Sequence, residues 1–203
     1  MKIICIGRNY EEHARELNNP LPEKPVFFLK PDSALLIRNN PFFLPSFSNE
    51  IHYEAEIVLK ISRLGKNISL NYAHRYYNSL TVGIDFTARD LQDKCKKAGH
   101  PWEIAKAFDQ SAAVNRFISI DSVPDRDAIH FQLSINGNSV QNGNTKNMIF
   151  SFDQIISYVS TFITLKTGDL IFTGTPAGVG PVKKEDHLVA TVEGQNVLEF
   201  NIK

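Results

Sequence analysis

Two glutamates stand two residues apart in Ile51-His52-Tyr53-Glu54-Ala55-Glu56-Ile57-Val58-Leu59-Lys60, a run whose alternation predicts a β-strand. On a strand such residues are spaced about 6.5–7 Å along the chain, with parallel side chains. Two carboxylates so placed can converge on one hard cation, because Mg²⁺ takes oxygen ligands at about 2.0–2.1 Å. Taken alone, the pair reads more simply as a wet strand face, with Ile51, Tyr53, Ala55, Ile57 and Leu59 turned to the core. Asp85 changes the balance. It ends the apolar run Thr81-Val82-Gly83-Ile84-Asp85 just before a helical pattern, a junction where mixed folds place ligand-binding groups. Three carboxylates around a divalent ion leave a net charge of −1, so a nearby cation would be useful. Lys106, in Pro101-Trp102-Glu103-Ile104-Ala105-Lys106-Ala107-Phe108, is either that buried cation or a lysine snorkelling at the surface.

Proton chemistry has its own candidates. His13 and Glu16 are three apart on a predicted helix and so share a face, the arrangement of a carboxylate orienting a histidine base or of an ordinary surface pair. Arg89 and Gln92 repeat the spacing just beyond Asp85, as substrate contacts or as plain helix-surface residues. The loop at residues 172–181, Phe-Thr-Gly-Thr-Pro-Ala-Gly-Val-Gly-Pro, is neither a Walker A loop nor a dinucleotide fingerprint. Tight turning explains its glycines. It does not explain Thr173 and Thr175, which with free backbone N–H groups could hold a carboxylate.

These residues need elements to position them. Residues 2–6 read as a buried strand, followed by a helix capped by Asn9 with Glu12 and fading at Asn18-Asn19-Pro20. Residues 20–50 hold many prolines between short apolar bursts and predict irregular segments and short strands. A strand over residues 80–86 leads into a helix boxed by Thr87 and Asp90 and stopped at Gly99. Asn136-Gly137 marks a hairpin turn. Ser151 and Gln154 cap a helix whose Phe152, Ile155, Ile156, Val159 and Phe162 follow helical spacing. The chain closes in strands, the last two a hairpin about Glu193-Gly194-Gln195-Asn196. Strands outnumber helices without regular alternation, which predicts an α+β fold.

The bulk numbers are those of an ordinary globular chain. The 203 residues predict one domain, residues 1–203, with 42% hydrophobic and 22% charged content. Lys plus Arg equals Asp plus Glu at 22 each, which argues against the basic excess that nucleic acid or membrane surfaces demand. Cys5 and Cys95 are too few for a disulfide scaffold, and no run is apolar enough to span a bilayer, so a cytoplasmic location is expected.

Taken in order, Gly7-Arg8-Asn9-Tyr10-Glu11-Glu12-His13-Ala14-Arg15-Glu16, Phe28-Leu29-Lys30-Pro31, His52-Tyr53-Glu54-Ala55-Glu56, Gly83-Ile84-Asp85-Phe86-Thr87-Ala88-Arg89-Asp90-Leu91-Gln92, Pro101-Trp102-Glu103-Ile104-Ala105-Lys106-Ala107-Phe108-Asp109 and Thr173-Gly174-Thr175-Pro176-Ala177-Gly178-Val179-Gly180 resemble the fumarylacetoacetate hydrolase family. The match runs over residues 7–180 and is nearest the compact acylpyruvase-type members. The resemblance implies a mixed β-sandwich-roll with a few short helices and a homodimer. It implies Glu54, Glu56 and Asp85 as ligands of Mg²⁺ or Mn²⁺, and Lys106 beside the metal. His13 and Glu16 would be a catalytic dyad on a helix that acts as a lid, and Arg89, Gln92 and Thr175 substrate contacts. The implied reaction is hydrolysis of a C–C bond in a short acylpyruvate such as acetylpyruvate or fumarylpyruvate. Oxaloacetate decarboxylation and 2-oxo acid tautomerisation or isomerisation are alternatives on the same site. A non-catalytic metal- or ligand-binding module would need only the three carboxylates.

Overall fold

A computed structural model describes residues 1–16 and 20–203. Its largest sheet has eight strands. Seven run in the order Val26–Lys30, Ile3–Gly7, Leu170–Phe172, Ala55–Ile61, Tyr77–Asp85, Ala112–Ala113 and Leu35–Leu36, and Ile118–Ser119 pairs with Tyr77–Asp85 off that path. Ile3–Gly7 lies parallel to Leu170–Phe172, whereas Ala55–Ile61 and Tyr77–Asp85 are antiparallel, so the sheet is mixed. A second, antiparallel sheet orders Asn138–Asn144, His130–Ile135, His187–Val192 and Gln195–Asn201. A small third sheet joins Gly180–Pro181, Ile51–Tyr53 and Thr87–Ala88. With only short helices added, this is the expected α+β fold of mixed, curled sheets.

The two large sheets differ in how the sequence writes them. His187–Val192 buries Leu188, Ala190 and Val192 and leaves the alternate residues partly open, the period-two pattern of a sheet with one wet face. Ala55–Ile61 is buried at every position but Lys60, because the sheet is covered on both faces. The predicted strand over residues 51–60 is therefore two strands in two sheets, Ile51–Tyr53 and Ala55–Ile61, with the break at Glu54. Neither glutamate faces water: Glu54 is 6% and Glu56 2% exposed.

Local signals hold where the chain turns by itself. Asn136 and Gly137 both have positive φ, as do Glu193 and Gly194, so both predicted hairpins turn through left-handed backbone. Gly99 closes the helix Arg89–Ala98 at φ 67°, and Ser151 with Gln154 forms a full capping box on Phe152–Phe162. Phe162 departs from its predicted core role. It is largely exposed and packs against the rings of Phe27 and Tyr158.

Two predicted caps do other work. The helix Glu11–Glu16 begins after Tyr10, whose carbonyl accepts from Ala14 N–H. Asn9, fully buried, instead donates its amide to the carbonyls of Phe150 and Thr173 and accepts from Phe150 N–H. The predicted end of that helix at Asn18-Asn19 lies outside the described residues. Thr87 sits in a short strand, and Ala88 is the residue that precedes Arg89–Ala98. Cys5 and Cys95 are buried free thiols, and no described helix is long and apolar enough to cross a membrane.

Candidate active site

The three predicted ligands meet. Glu54, Glu56 and Asp85 each offer a carboxylate oxygen, all within 4.8 Å of one another, and all three side chains are buried. Strand pairing does this. Glu56 is in register with Gly83 on the antiparallel neighbour, and Asp85 N–H donates to the Glu54 carbonyl at 2.8 Å. The carboxylates thus emerge at one end of a two-strand ladder, beside the break where the chain changes sheets. A glycine opposite Glu56 also leaves this stretch of the ladder without a facing side chain.

Three buried carboxylates demand positive charge, and the chain brings three cations to them. Lys106, on the short helix Glu103–Lys106, is the buried cation rather than a surface one. Its Nζ donates to Glu54 at 2.8 Å, to Asp85 at 2.9 Å and to Thr87 Oγ1 at 2.6 Å. Arg89 donates to the other Glu54 oxygen at 2.6 Å and to Gln92 at 2.6 Å. Lys30, which sequence reasoning left unremarked inside its Phe-Leu-Lys-Pro motif, has its Nζ 2.7 Å from Asp85 Oδ1. Its only signal was a lysine ending an otherwise apolar strand.

Charge is unevenly shared within the cluster. Burial alone would raise the Glu54 carboxyl, but Lys106 and Arg89 outweigh it and hold Glu54 far below the usual range. Burial and the charges of Asp85 and Glu54 push Glu56 well above it, outweighing a backbone hydrogen bond from Gly174 at 2.7 Å and the more distant Lys106 charge. Asp85 Oδ1 accepts no hydrogen bond despite its nearness to Lys30, whose ammonium is engaged by the carbonyls of Lys106 and Ser111 and by Ser111 Oγ. A buried carboxylate oxygen with a free lone pair, beside a carboxyl short of positive charge, fits a hard divalent cation held by oxygen ligands.

The predicted proton group faces the same pocket. His13, 6% exposed, places Nδ1 3.2 Å from Glu16 Oε2, and its ring lines the pocket with the three carboxylates. Glu16 is held in turn by Gly178 N–H, at 3.1 and 3.3 Å from its two oxygens. The glycine-rich loop therefore grips carboxylates at two places, Glu56 through Gly174 and Glu16 through Gly178. Gly174 has φ 103°, and a Cβ there would lie 2.6 Å from Asn9 Cβ. Glycine is required on both counts.

Thr173 and Thr175 hold the loop to the sheet rather than a ligand. Thr173 Oγ1 donates to the Ile57 carbonyl at 2.8 Å and Thr175 Oγ1 to the Ala55 carbonyl at 2.9 Å. Gln141, also unforeseen, ties Ala55 N–H, Thr175 Oγ1 and the Pro176 carbonyl together. Arg89, Gln92 and Thr175 all line the pocket. His52 stands apart, pairing with exposed Glu50 at 3.0 Å. The proline-rich residues 39–49 do not reach the pocket. Phe42 stacks on Phe86 at 4.0 Å instead, an anchor worth about 0.5–1.5 kcal/mol beyond its buried area.

Mixed curled sheets thus hold a buried three-carboxylate centre of the kind that suits a divalent cation, in a pocket that His13 also lines. The chain belongs to the fumarylacetoacetate hydrolase family: the family profile described as "Fumarylacetoacetate (FAA) hydrolase C-terminal" matches residues 2–203. It is 41% identical over 201 residues to the mitochondrial oxaloacetate tautomerase FAHD1 of Mus musculus, covering 99% of this chain and 91% of that protein. It is 39% identical over 203 residues to the mitochondrial oxaloacetate decarboxylase of Dictyostelium discoideum, covering 99% and 93%. Among solved structures, the fumarylpyruvate hydrolase of Pseudomonas aeruginosa in complex with Mn²⁺ and pyruvate superposes with a TM-score of 0.93 at 35% identity, covering 100% of this chain and 89% of that one.

Proposed function

We propose that this protein is a divalent-metal-dependent enzyme of short 2-oxo acids that works through their enol forms, with oxaloacetate keto–enol tautomerisation as its reaction. The observation that carries this is His13, held by Glu16, lining one pocket with Glu54, Glu56 and Asp85. A 2-oxo acid becomes an enol when a proton leaves C3 and another is placed on the 2-oxo oxygen, so a proton-moving group must face an electrophilic site. The identities to an oxaloacetate tautomerase and an oxaloacetate decarboxylase support this substrate class.

Glu54, Glu56 and Asp85 would hold Mg²⁺ or Mn²⁺. Bound there, the ion supplies Lewis-acid polarisation of a 2-oxo group. The chain's own residues do the rest. His13 Nδ1 is fixed by Glu16, which leaves Nε2 as the nitrogen that takes the C3 proton and returns it to oxygen. Lys106 pairs with Glu54 and Asp85 and would add positive potential where enolate charge develops. Arg89 and Gln92, locked together, would orient the substrate carboxylate, with Thr175 lining the pocket beside them.

Hydrolysis of an acylpyruvate is the second reading, supported by the likeness to the fumarylpyruvate hydrolase. There His13 Nε2 would deprotonate a water that adds to the distal carbonyl. The C3–C4 bond then breaks with its electron pair staying on C3. The protein would act as a homodimer, for which exposed Phe43, Phe47 and Ile104 supply an apolar surface. Light scattering returning twice the chain mass supports that, and a monomer refutes it.

The deciding experiment follows the ultraviolet absorbance of enol-oxaloacetate and, separately, pyruvate release from oxaloacetate and acetylpyruvate, under Mg²⁺, Mn²⁺ or chelator. Metal-dependent enol–keto conversion faster than pyruvate release from either compound supports the tautomerase. Dominant pyruvate release from acetylpyruvate moves the assignment to the hydrolase. Activity untouched by complete chelation overturns the metal-dependent reading.

A further inference from the structure

The pocket carries two cations that the acidic centre does not use. Arg8 follows the strand Ile3–Gly7 and Lys96 lies on the helix Arg89–Ala98, and both line the pocket. Each is half-buried, and among the described residues neither forms an ion pair. Lys96 Nζ stands 6.0 Å over the Trp102 ring, which lines the same wall. Burial and the guanidinium charges of Arg89 and Arg8 push the Lys96 ammonium below its ordinary value, against the pull of Asp93 and Glu54. Three positive groups, Arg8, Arg89 and Lys96, thus crowd one pocket lining.

Arg8 also has an unusual backbone, with φ 60°. Asn136 and Glu193 adopt such angles in hairpin turns, where the turn itself requires them. Arg8 is at the end of a central strand, two residues before Tyr10, and it holds a left-handed conformation that ordinary side chains disfavour. Strain of this kind is retained where the surroundings fix a residue for a purpose.

The charge count gives the purpose. Glu54, Glu56 and Asp85 are equalled in number by Lys30, Lys106 and Arg89, which pair with Glu54 and Asp85. A divalent ion would add two positive charges, and a substrate's 2-oxo carboxylate removes one. Arg8 and Lys96 add two more to the pocket lining. We propose that Arg8 and Lys96 form a subsite for a second carboxylate, so that the substrates are dicarboxylic 2-oxo acids rather than neutral-tailed ones such as acetylpyruvate. This rests on the functional reading above, and it adds the residues that select within that substrate class.

The test compares oxaloacetate with its 4-ethyl ester, which keeps the 2-oxo acid head and lacks the second carboxylate. In the Mn²⁺-loaded protein, Arg8→Gln and Lys96→Gln should each raise KM for oxaloacetate about tenfold, the effect of losing a charge-assisted hydrogen bond. KM for the ester, kcat, and inhibition by oxalate, which needs only the head subsite, should stay within about twofold. Arg8→Lys should restore part of the oxaloacetate affinity. Equal loss for both substrates, or no loss for oxaloacetate, overturns the subsite. Lys96→Gln, on a half-exposed helix position, keeps the test open if Arg8→Gln fails to fold. A wild-type protein that turns over neither compound overturns the functional reading instead. Calorimetry of the two ligands then decides the subsite, and equal affinities for them overturn it.

Discussion

Lys30 Nζ lies 2.7 Å from Asp85 Oδ1, with both side chains shut off from solvent. Yet the ammonium spends its hydrogen bonds on the Lys106 and Ser111 carbonyls. Lys30 therefore serves two ends: it counters the charge of one candidate ligand and ties down the segment that carries Lys106. Replacing it with Met leaves a buried carboxylate undercompensated and carbonyls unpaired. Lys30→Met should lower unfolding stability by about 3–5 kcal/mol, read from urea denaturation of the metal-free protein. A change under about 1 kcal/mol would show that Lys30 is dispensable to the fold.

The protonation of Glu56 ties metal uptake to pH. Its carboxyl is raised by burial and by the Asp85 and Glu54 charges, so the metal-free folded protein keeps this proton after the unfolded chain has lost it. The metal-free protein should thus lose stability as pH rises from the ordinary carboxylate value through the raised one. Mn²⁺ replaces that proton, so the loss should vanish in its presence and proton release should accompany binding. Thermal unfolding across pH, with chelator and with Mn²⁺, checks both. Parallel curves in the two conditions contradict it.

Glu56→Gln separates ligand from bystander. Gln keeps the Gly174 hydrogen bond and removes the charge, so Mn²⁺ affinity should fall at least about tenfold by calorimetry. The metal-free protein should be more stable than the parent at neutral pH, because a crowded anion is gone. Unchanged Mn²⁺ affinity would exclude Glu56 from the ligand set.

Glu16 and His13 should part company in kinetics. His13→Asn removes the group that moves the proton and should lower kcat by about 10²–10⁴-fold. Glu16→Gln leaves a hydrogen-bond partner for both His13 and Gly178, so a smaller loss in kcat with little change in KM is expected. Equal, total loss in both variants would mean that the pair positions the helix Glu11–Glu16 rather than transferring protons.

Gly174→Ala tests the loop. The added methyl meets Asn9 Cβ, and φ 103° is strained for alanine, so about 1–3 kcal/mol of stability should go. Weaker Mn²⁺ binding should follow, because Gly174 N–H sets Glu56. Full metal affinity at reduced stability would uncouple the loop from the centre.

How much of this was legible in the sequence depended on how far each signal reaches along the chain. The Asn136-Gly137 turn, the Ser151–Gln154 box and the Gly99 stop are closed within a few residues, and they form as written. The acidic triad was legible because its residues end or interrupt apolar strands and match family motifs. Asn9 and Thr87 carry cap-forming side chains, but tertiary partners, Phe150 and Thr173 for one and Lys106 for the other, outcompete the local bond. The alternation of residues 51–60 suggested a wet face because period two cannot show that a second layer covers it. Arg8 and Lys96 gave no local sign, and Lys30 only that of a lysine ending an apolar strand. Each is a single cation whose partners lie far away in sequence or belong to the ligand.

The carboxylate centre and the proton-moving pair come from different parts of the molecule. The first is built into a two-strand ladder at the heart of the largest sheet. The second sits on a six-residue helix, latched to the glycine loop by Glu16. Such a division lets inheritance act on the halves separately. Under the proposed function, substitutions on the short helix would act on proton transfer while the strands keep the carboxylate centre intact. A descendant of this chain needs no new fold to acquire a new reaction.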